Sequence, residues 1–306
     1  MKKIGIVIPA YNAEKYISYC LDSILNQSNK NAQIIIVDDC SEDDTLTIIN
    51  SYKLKFEKLG FEYNVISLDK NQGQAACFNY AFNILNSELF MWLDSDDFLY
   101  ENCFQEKINF MDKNSNVDLC ICRGGLYNWP DLNFKVSDLY VKDSTCDYFY
   151  NILTRKDVLW APGSICVRTN FILSRLRHRK IYSSREGQNI QLLLPILYNS
   201  NYSFINKELY GVVAHQDSHS RKKRNSKQII YREKGILLIY KKTIGRLDAS
   251  RKDKIKFNKI VKKNIYLSIF NYCVSKKMFI RSFYYYFHLN KNDKINFLKV
   301  VFGRIL

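Results

Sequence analysis

Residues 4–93 alternate short, almost wholly apolar runs with stretches of helical period, and this alternation restricts the possible folds more than any other feature of the chain. Residues 4–8, 34–37, 63–68 and 89–93 read as strands rich in Ile, Val, Leu and aromatic side chains. Between the first two, apolar residues fall at Tyr16, Ile17, Cys20, Leu21, Ile24 and Leu25, a helical spacing over 13–26. Pro9 is expected to end the first strand and Asn12 to cap this helix. Further helices are predicted over 44–59, after the turn Ser41-Glu42-Asp43, and over 74–85. Strands with no polar face must be covered on both sides, and strand–helix alternation of this kind gives an α/β fold with a mostly parallel sheet flanked by helices.

In such sheets ligands gather at the carboxyl ends of the strands. The strand over 89–93 runs directly into Asp94-Ser95-Asp96-Asp97, three carboxylates in four residues. Carboxylates so close repel one another and resist burial unless a cation joins them. Hard oxygen ligands suit Mg²⁺ or Mn²⁺ better than zinc, and such an ion typically holds a substrate's phosphates. Other strand ends carry Asp38-Asp39, Pro9-Ala10-Tyr11-Asn12 and Asp69-Lys70-Asn71-Gln72-Gly73, so candidate ligand-binding residues converge on one edge.

Beyond residue 110 the pattern loosens. Strands are predicted over 117–122 and 165–167, the latter after a turn at 160–164, and a helix interrupted near Pro195 over 188–198. Hydrophobic and aromatic contents of 47% and 14% belong to a globular chain rather than a disordered one. No apolar run approaches the roughly 18 residues of a spanning helix. Met1-Lys2-Lys3 and the apolar stretch after it imitate a signal peptide, but no cleavage-like site follows, so the stretch is read as a strand. The cysteines are nine in number, without a CxxC pair, which fits reduced structural thiols in a cytoplasmic protein.

The net charge of +16 is unevenly placed. Residues 1–220 hold 22 Lys+Arg against 26 Asp+Glu, a balance of −4, and residues 221–306 hold 24 against 4, a balance of +20. A division follows: a body over 1–220 and a basic, aromatic-rich helical tail over 221–306.

The motifs Val7-Ile8-Pro9-Ala10-Tyr11-Asn12, Val37-Asp38-Asp39-Cys40-Ser41, Asn71-Gln72-Gly73, Asn79 and Trp92-Leu93-Asp94-Ser95-Asp96-Asp97 resemble, in order and spacing, those of family-2 glycosyltransferases of the GT-A, Rossmann-like type. The resemblance covers about the first 110 residues and implies that 1–110 bind a nucleotide-sugar while 111–220 form the acceptor side. It implies an inverting, metal-dependent transfer of a sugar from a nucleotide-diphospho-sugar, a UDP-sugar by preference, to a glycan or lipid-linked acceptor in surface polysaccharide synthesis.

By the same resemblance Tyr11 stacks on the base, with Pro9 and Ala10 meeting its edge, and Asp39 accepts from the uracil ring. Lys70 would reach the nucleotide, and Asp38 would stabilise its turn. Asp94, Ser95 and Asp96 form a DxD motif: Asp96 would ligate Mn²⁺ or Mg²⁺, and Asp94 the ribose, the metal or its water. Asp97 would orient the site or cap the following helix. His215 or His219 is a further candidate for the metal or diphosphate, and Trp160 for the acceptor groove.

An inverting displacement needs a carboxylate to take the acceptor's proton. Many relatives supply it from a Gly-Glu-Asp segment, but here Gly187 is followed by Gln188-Asn189, and neither can act as a base. Glu186 is the nearest carboxylate and the candidate base, with Asp217 in reserve. Loss of the base leaves an alternative, a catalytically impaired sugar-nucleotide-binding or scaffold protein. A nucleotidyltransferase is disfavoured, because no glycine-rich basic loop follows the first strand. Lysine- and aromatic-rich helices suit an anionic membrane surface, which predicts peripheral attachment at the cytoplasmic face. The alternative is that their apolar faces pack on the body. Charge alone is compatible with nucleic acid, yet the body is acidic and no nucleic-acid module is present.

Overall fold

The computed structural model describes residues 2–141, 147–216 and 224–287. The elements run β1 (Ile4–Ala10), α1 (Ile17–Leu25), β2 (Ala32–Asp38), α2 (Thr45–Ser51), α3 (Lys53–Lys58), β3 (Glu62–Ser67), α4 (Gln74–Ile84) and β4 (Leu89–Trp92). The second half comprises β5 (Phe98–Leu99), α5 (Cys103–Lys113), β6 (Leu119–Asn128), β7 (Lys135–Leu139), α6 (Tyr148–Thr154), β8 (Ile165–Arg168), α7 (Thr169–Arg175), α8 (Gln188–Leu197) and β9 (Tyr202–Ala214). Three helices follow, α9 (Ser226–Arg246), α10 (Arg251–Ser275) and α11 (Phe279–Phe287).

Among the described residues one sheet has the order β3-β2-β1-β4-β8-β6-β9-β5, with β7 on the outer part of β6. The β3-β2-β1-β4 half is parallel, as the unbroken apolar runs of β1, β2 and β4 predict, with the more polar β3 at its edge. Every residue of β1, β2 and β4 is buried. The other half is mixed: β8 runs antiparallel to β4 and β6, and β6 runs parallel to β9.

Three sequence expectations are corrected here. Pro9 does not end β1, which continues to Ala10. The Val7 carbonyl accepts from Leu93 on the β4 side and the Ala10 carbonyl from Asp39 on the β2 side, so alternation turns the Pro9 nitrogen toward β4. The β4 ladder has already ended at the Val7–Trp92 pair, and no donor is needed there. Asn12 does not cap α1. It sits at φ 48° and its side chain accepts from the Glu42 amide, while residues 13–16 make a turn that delays the helix to Ile17. The helix expected over 44–59 is two helices meeting at Tyr52.

The tail joins the body's hydrophobic core. In α9, Ile236, Ile239, Tyr240, Thr243 and Ile244 are buried at three- and four-residue spacing, and in α10 Val261, Ile265, Ile269 and Cys273 are buried at every fourth position. Phe257 meets Phe149 of α6 edge-on at 5.1 Å. A capping box of Asn225 and Gln228 starts α9, and Glu233 one turn on forms an ion pair with Arg155 at the end of α6. Of the lysines of α10, Lys252, Lys256, Lys259, Lys262 and Lys263 stay exposed. No helix among the described residues is long and apolar enough to cross a membrane.

Eight described cysteines are free, and all but Cys40 are buried. Burial pushes the Cys103 thiol up to about 12, far from the thiolate form that reacts.

Candidate active site

The site is built where β1, β2 and β4 end together. The ends of β1 and β2 are tied by side chains. The Asn12 amide donates to Ser41 Oγ at 3.0 Å, the Ala13 amide to Thr45 Oγ1 at 2.7 Å, and the Asp44 amide to Glu14 Oε2 at 3.1 Å. Asp38 accepts from the Ser41 amide and hydroxyl, the turn-stabilising role expected of it. Tyr11 projects from this edge with 45% of its surface exposed, an open aromatic face beside the strand ends.

Asp39 is buried, and both of its oxygens are engaged. Oδ1 accepts from the Gln72 amide and Oδ2 from the Gly73 amide, each at 2.7 Å. The carboxylate thereby clamps the loop that starts α4. Gly73 caps that helix at φ 85°, a conformation that favours glycine, and a Cβ there would lie 3.3 Å from Arg185 Cα. Lys70, in the same loop, is exposed. This close approach brings Ser184 and Arg185 against the loop ahead of α4.

At the end of β4, Asp94, Asp96 and Asp97 each offer a carboxylate oxygen within 4.8 Å of the others. Burial and the charge of Asp96 push Asp94 up to about 7, opposed by a hydrogen bond from the Gln74 side chain. Burial, then Asp96 and Asp94, hold Asp97 well above the usual carboxylate range. The protein supplies no lysine or arginine ion pair to any of the three among the described residues; the one ion-pair partner is His215, whose Nε2 lies 2.8 Å from Asp96 Oδ2. His215 is itself buried and lies tilted on Tyr16, with ring centroids 3.9 Å apart. Asp97 does not cap a helix: its Oδ1 accepts from the Val213 amide and ties β9 to the acidic turn. An all-oxygen donor set with repelling, partly desolvated carboxylates fits Mg²⁺ or Mn²⁺, with Asp94 and Asp96 the residues that would hold it.

The structure thus brings Asp94, Ser95, Asp96 and His215 together, and places Pro9, Ala10, Tyr11 and Asp39 along the same sheet edge. Glu186 lies in the segment packed against Gly73, where its Oε2 pairs with Arg232 Nε of α9 at 3.1 Å. Neither Arg185 nor a helix end is its partner. Asp217 and His219 lie outside the described residues. Trp160 is 39% exposed, consistent with a place on an open surface.

Two contributors were not singled out from the sequence: Gln74 reaches Asp94, and Arg232 pairs with Glu186. Asn189, which stands where relatives carry an acid, accepts from Trp92 Nε1 at 3.2 Å. Gln74 had a local signal, since it follows the Asn71-Gln72-Gly73 loop directly. Arg232, in a distant basic helix, had none.

The acidic cluster, the exposed Tyr11 and the clamped loop thus share one carboxyl-end edge of an α/β sheet, where ligands gather in such folds. Residues 5–181 match the family described as glycosyl transferase family 2, and the chain belongs to that family. The poly(ribitol-phosphate) beta-glucosyltransferase of Bacillus spizizenii is 39% identical over 119 residues, covering 37% of this chain and 18% of that protein. The chain spans well under two thirds of the curated relatives it matches most strongly. Among solved structures, S. aureus TarS 1-349 in complex with UDP-GlcNAc is similar at TM-score 0.63 and 21% identity, covering 86% of this chain and 72% of that one. A mannosyltransferase of Pyrobaculum calidifontis with GDP-Man and Mn²⁺ aligns at TM-score 0.58 and 14% identity, covering 90% and 75%. These structural likenesses establish the GT-A fold.

Proposed function

We propose that the protein is an inverting, metal-dependent glycosyltransferase that takes a sugar from a nucleotide-diphospho-sugar, a UDP-sugar by preference, to a glycan or lipid-linked acceptor in cell-surface polysaccharide synthesis. The observation that carries this reading is the acidic cluster of Asp94, Asp96 and Asp97, set on the same sheet edge as Tyr11 and the Asp39-clamped loop. The poly(ribitol-phosphate) beta-glucosyltransferase activity named for one relative, and the complexes of solved neighbours with UDP-GlcNAc and with GDP-Man, support it.

In this reading Tyr11 stacks on the base, and Asp39 holds the loop beside it and accepts from the ring. Asp94 and Asp96 would hold a divalent ion, whose charge would offset the negative charge developing on the leaving diphosphate. His215 fixes the orientation of Asp96. Glu186 accepts the proton of the acceptor hydroxyl as its oxygen attacks the anomeric carbon on the face opposite the diphosphate. The exposed lysines of α10 support peripheral attachment to an anionic membrane in this reading, next to a lipid-linked acceptor.

Asp96→Ala is expected to abolish metal-dependent binding of UDP, measured by calorimetry with and without Mn²⁺; unchanged binding would refute the site. The Glu186–Arg232 ion pair and the Gln188-Asn189 pair favour a second reading, a sugar-nucleotide-binding protein without transfer. Glu186→Gln decides between them. Under the first reading transfer is lost with UDP binding intact. Under the second the wild type itself shows none.

A further inference from the structure

A cavity of about 480 Å³ opens between α7, the second half of α8 and the end of α9, away from the acidic cluster. Three guanidinium-bearing residues line it, Arg175, Arg177 and Arg246, against one acid, Asp248, so its formal balance is +2. None of the three arginines forms an ion pair with a carboxylate among the described residues. Arg175 is held in place, donating to the Asn199 carbonyl at 3.1 Å and lying 4.7 Å from the Phe171 ring. The remaining wall is mostly apolar, formed by Phe171, Pro195, Tyr198 and Leu247 with Ser174 among them. At the rim, His178 and Arg179 adopt φ of 55° and 53° in succession, so the turn that carries Arg177, Arg179 and Lys180 is a constrained one. Lys180 extends the positive lining beside the cavity.

We propose that this cavity binds the phosphate groups of an anionic glycan chain that is the acceptor, holding it away from the point of transfer. The assignment rests on the glycosyltransferase reading above. Guanidinium forks suit phosphate oxygens in pairs, and aromatic and aliphatic walls suit the apolar face of a polyol or sugar. Position also fits. Arg232 pairs with Glu186 beside the nucleotide edge, and Arg246 stands fourteen residues further along the same helix, about 21 Å at ~1.5 Å per residue. A single sugar cannot bridge that distance, whereas a polymer can occupy both ends. A bilayer, by contrast, meets a convex charged face such as the exposed lysines of α10, and not a concave cavity.

The test is calorimetric titration of the full chain with synthetic oligo(glycerol phosphate), inorganic phosphate and phosphatidylglycerol vesicles. The wild type is compared with Arg177→Gln/Arg246→Gln, which leaves the Arg175 hydrogen bond intact. The double variant is expected to bind the oligomer about tenfold more weakly or worse, with UDP affinity and thermal midpoint unchanged. Oligomer affinity within about twofold of wild type overturns the assignment. So does loss of vesicle binding alone, which makes the occupant a lipid headgroup, or inorganic phosphate binding as tightly as the oligomer, which makes it a site for free anions. Should the wild type bind the oligomer but no UDP, the donor reading fails and the cavity assignment stands.

Discussion

Substituting Asp39 by asparagine separates two roles that one carboxylate can have at this edge. In the structure both oxygens accept amides of the loop ahead of α4, at 2.7 Å each. Asparagine keeps one acceptor, now uncharged, and turns its NH₂ toward the second amide, so one charge-assisted bond becomes neutral, the other is lost, and one amide is left facing a donor. Hydrogen bonds to charged groups contribute about 1.5–3 kcal/mol, and an unsatisfied buried amide costs about 1–3 kcal/mol. Asp39 is only 4% exposed, so little water is at hand to replace the bond. A loss of about 2–4 kcal/mol is expected, read as a lower urea midpoint with an unchanged slope. Hydrogen exchange at the Gln72 and Gly73 amides should accelerate with it, and UDP affinity should fall as the loop loosens. If Asp39→Asn loses UDP binding while stability stays within about 0.5 kcal/mol of wild type, the carboxylate serves the nucleotide alone and the clamp argument is wrong.

In EDTA, Asp94→Asn should gain stability relative to wild type by about 2–3 kcal/mol between pH 5 and pH 8. The folded carboxyl, pushed up to about 7, retains a proton that the unfolded chain releases near pH 4, so its favourable contribution declines as pH rises through that window. Urea midpoints at the two pH values check this, and a pH-independent difference refutes it. Truncation before α9 should leave an aggregating, poorly folded body, because Ile239, Tyr240 and Ile244 would leave the core; light scattering and circular dichroism report it. Reversing charge at Lys256 and Lys259 should instead leave the fold intact and release the protein from anionic vesicles, and vesicle binding that persists would count against the membrane partner.

The sheet's parallel half was legible because 4–8, 34–37 and 89–93 have no polar face, a pattern with few other solutions. Asp94, Asp96, Asp39 and Tyr11 were legible because each follows directly on such a strand. The helix start at Ile17 was not, because the competing bonds of Asn12 run to Ser41 and Glu42, residues about thirty positions away. Mixed pairing in the second half was equally hidden: β8 joins β4 and β6 through contacts that no local period records. Arg232 and the arginine cavity depend on how α9 lies against the body. A helix read from its own period shows which face is apolar, but not what that face will meet.

The ties between the β1 and β2 ends bear on the thermodynamics of recognition. Asn12 to Ser41, Ala13 to Thr45, and Asp39 to Gln72 and Gly73 fix three loops before any nucleotide arrives. The conformational entropy of those loops, about 1–2 kcal/mol per residue, is given up when the chain folds and not again on binding. Under the proposed function, this edge would meet its nucleotide as a preorganised receptor.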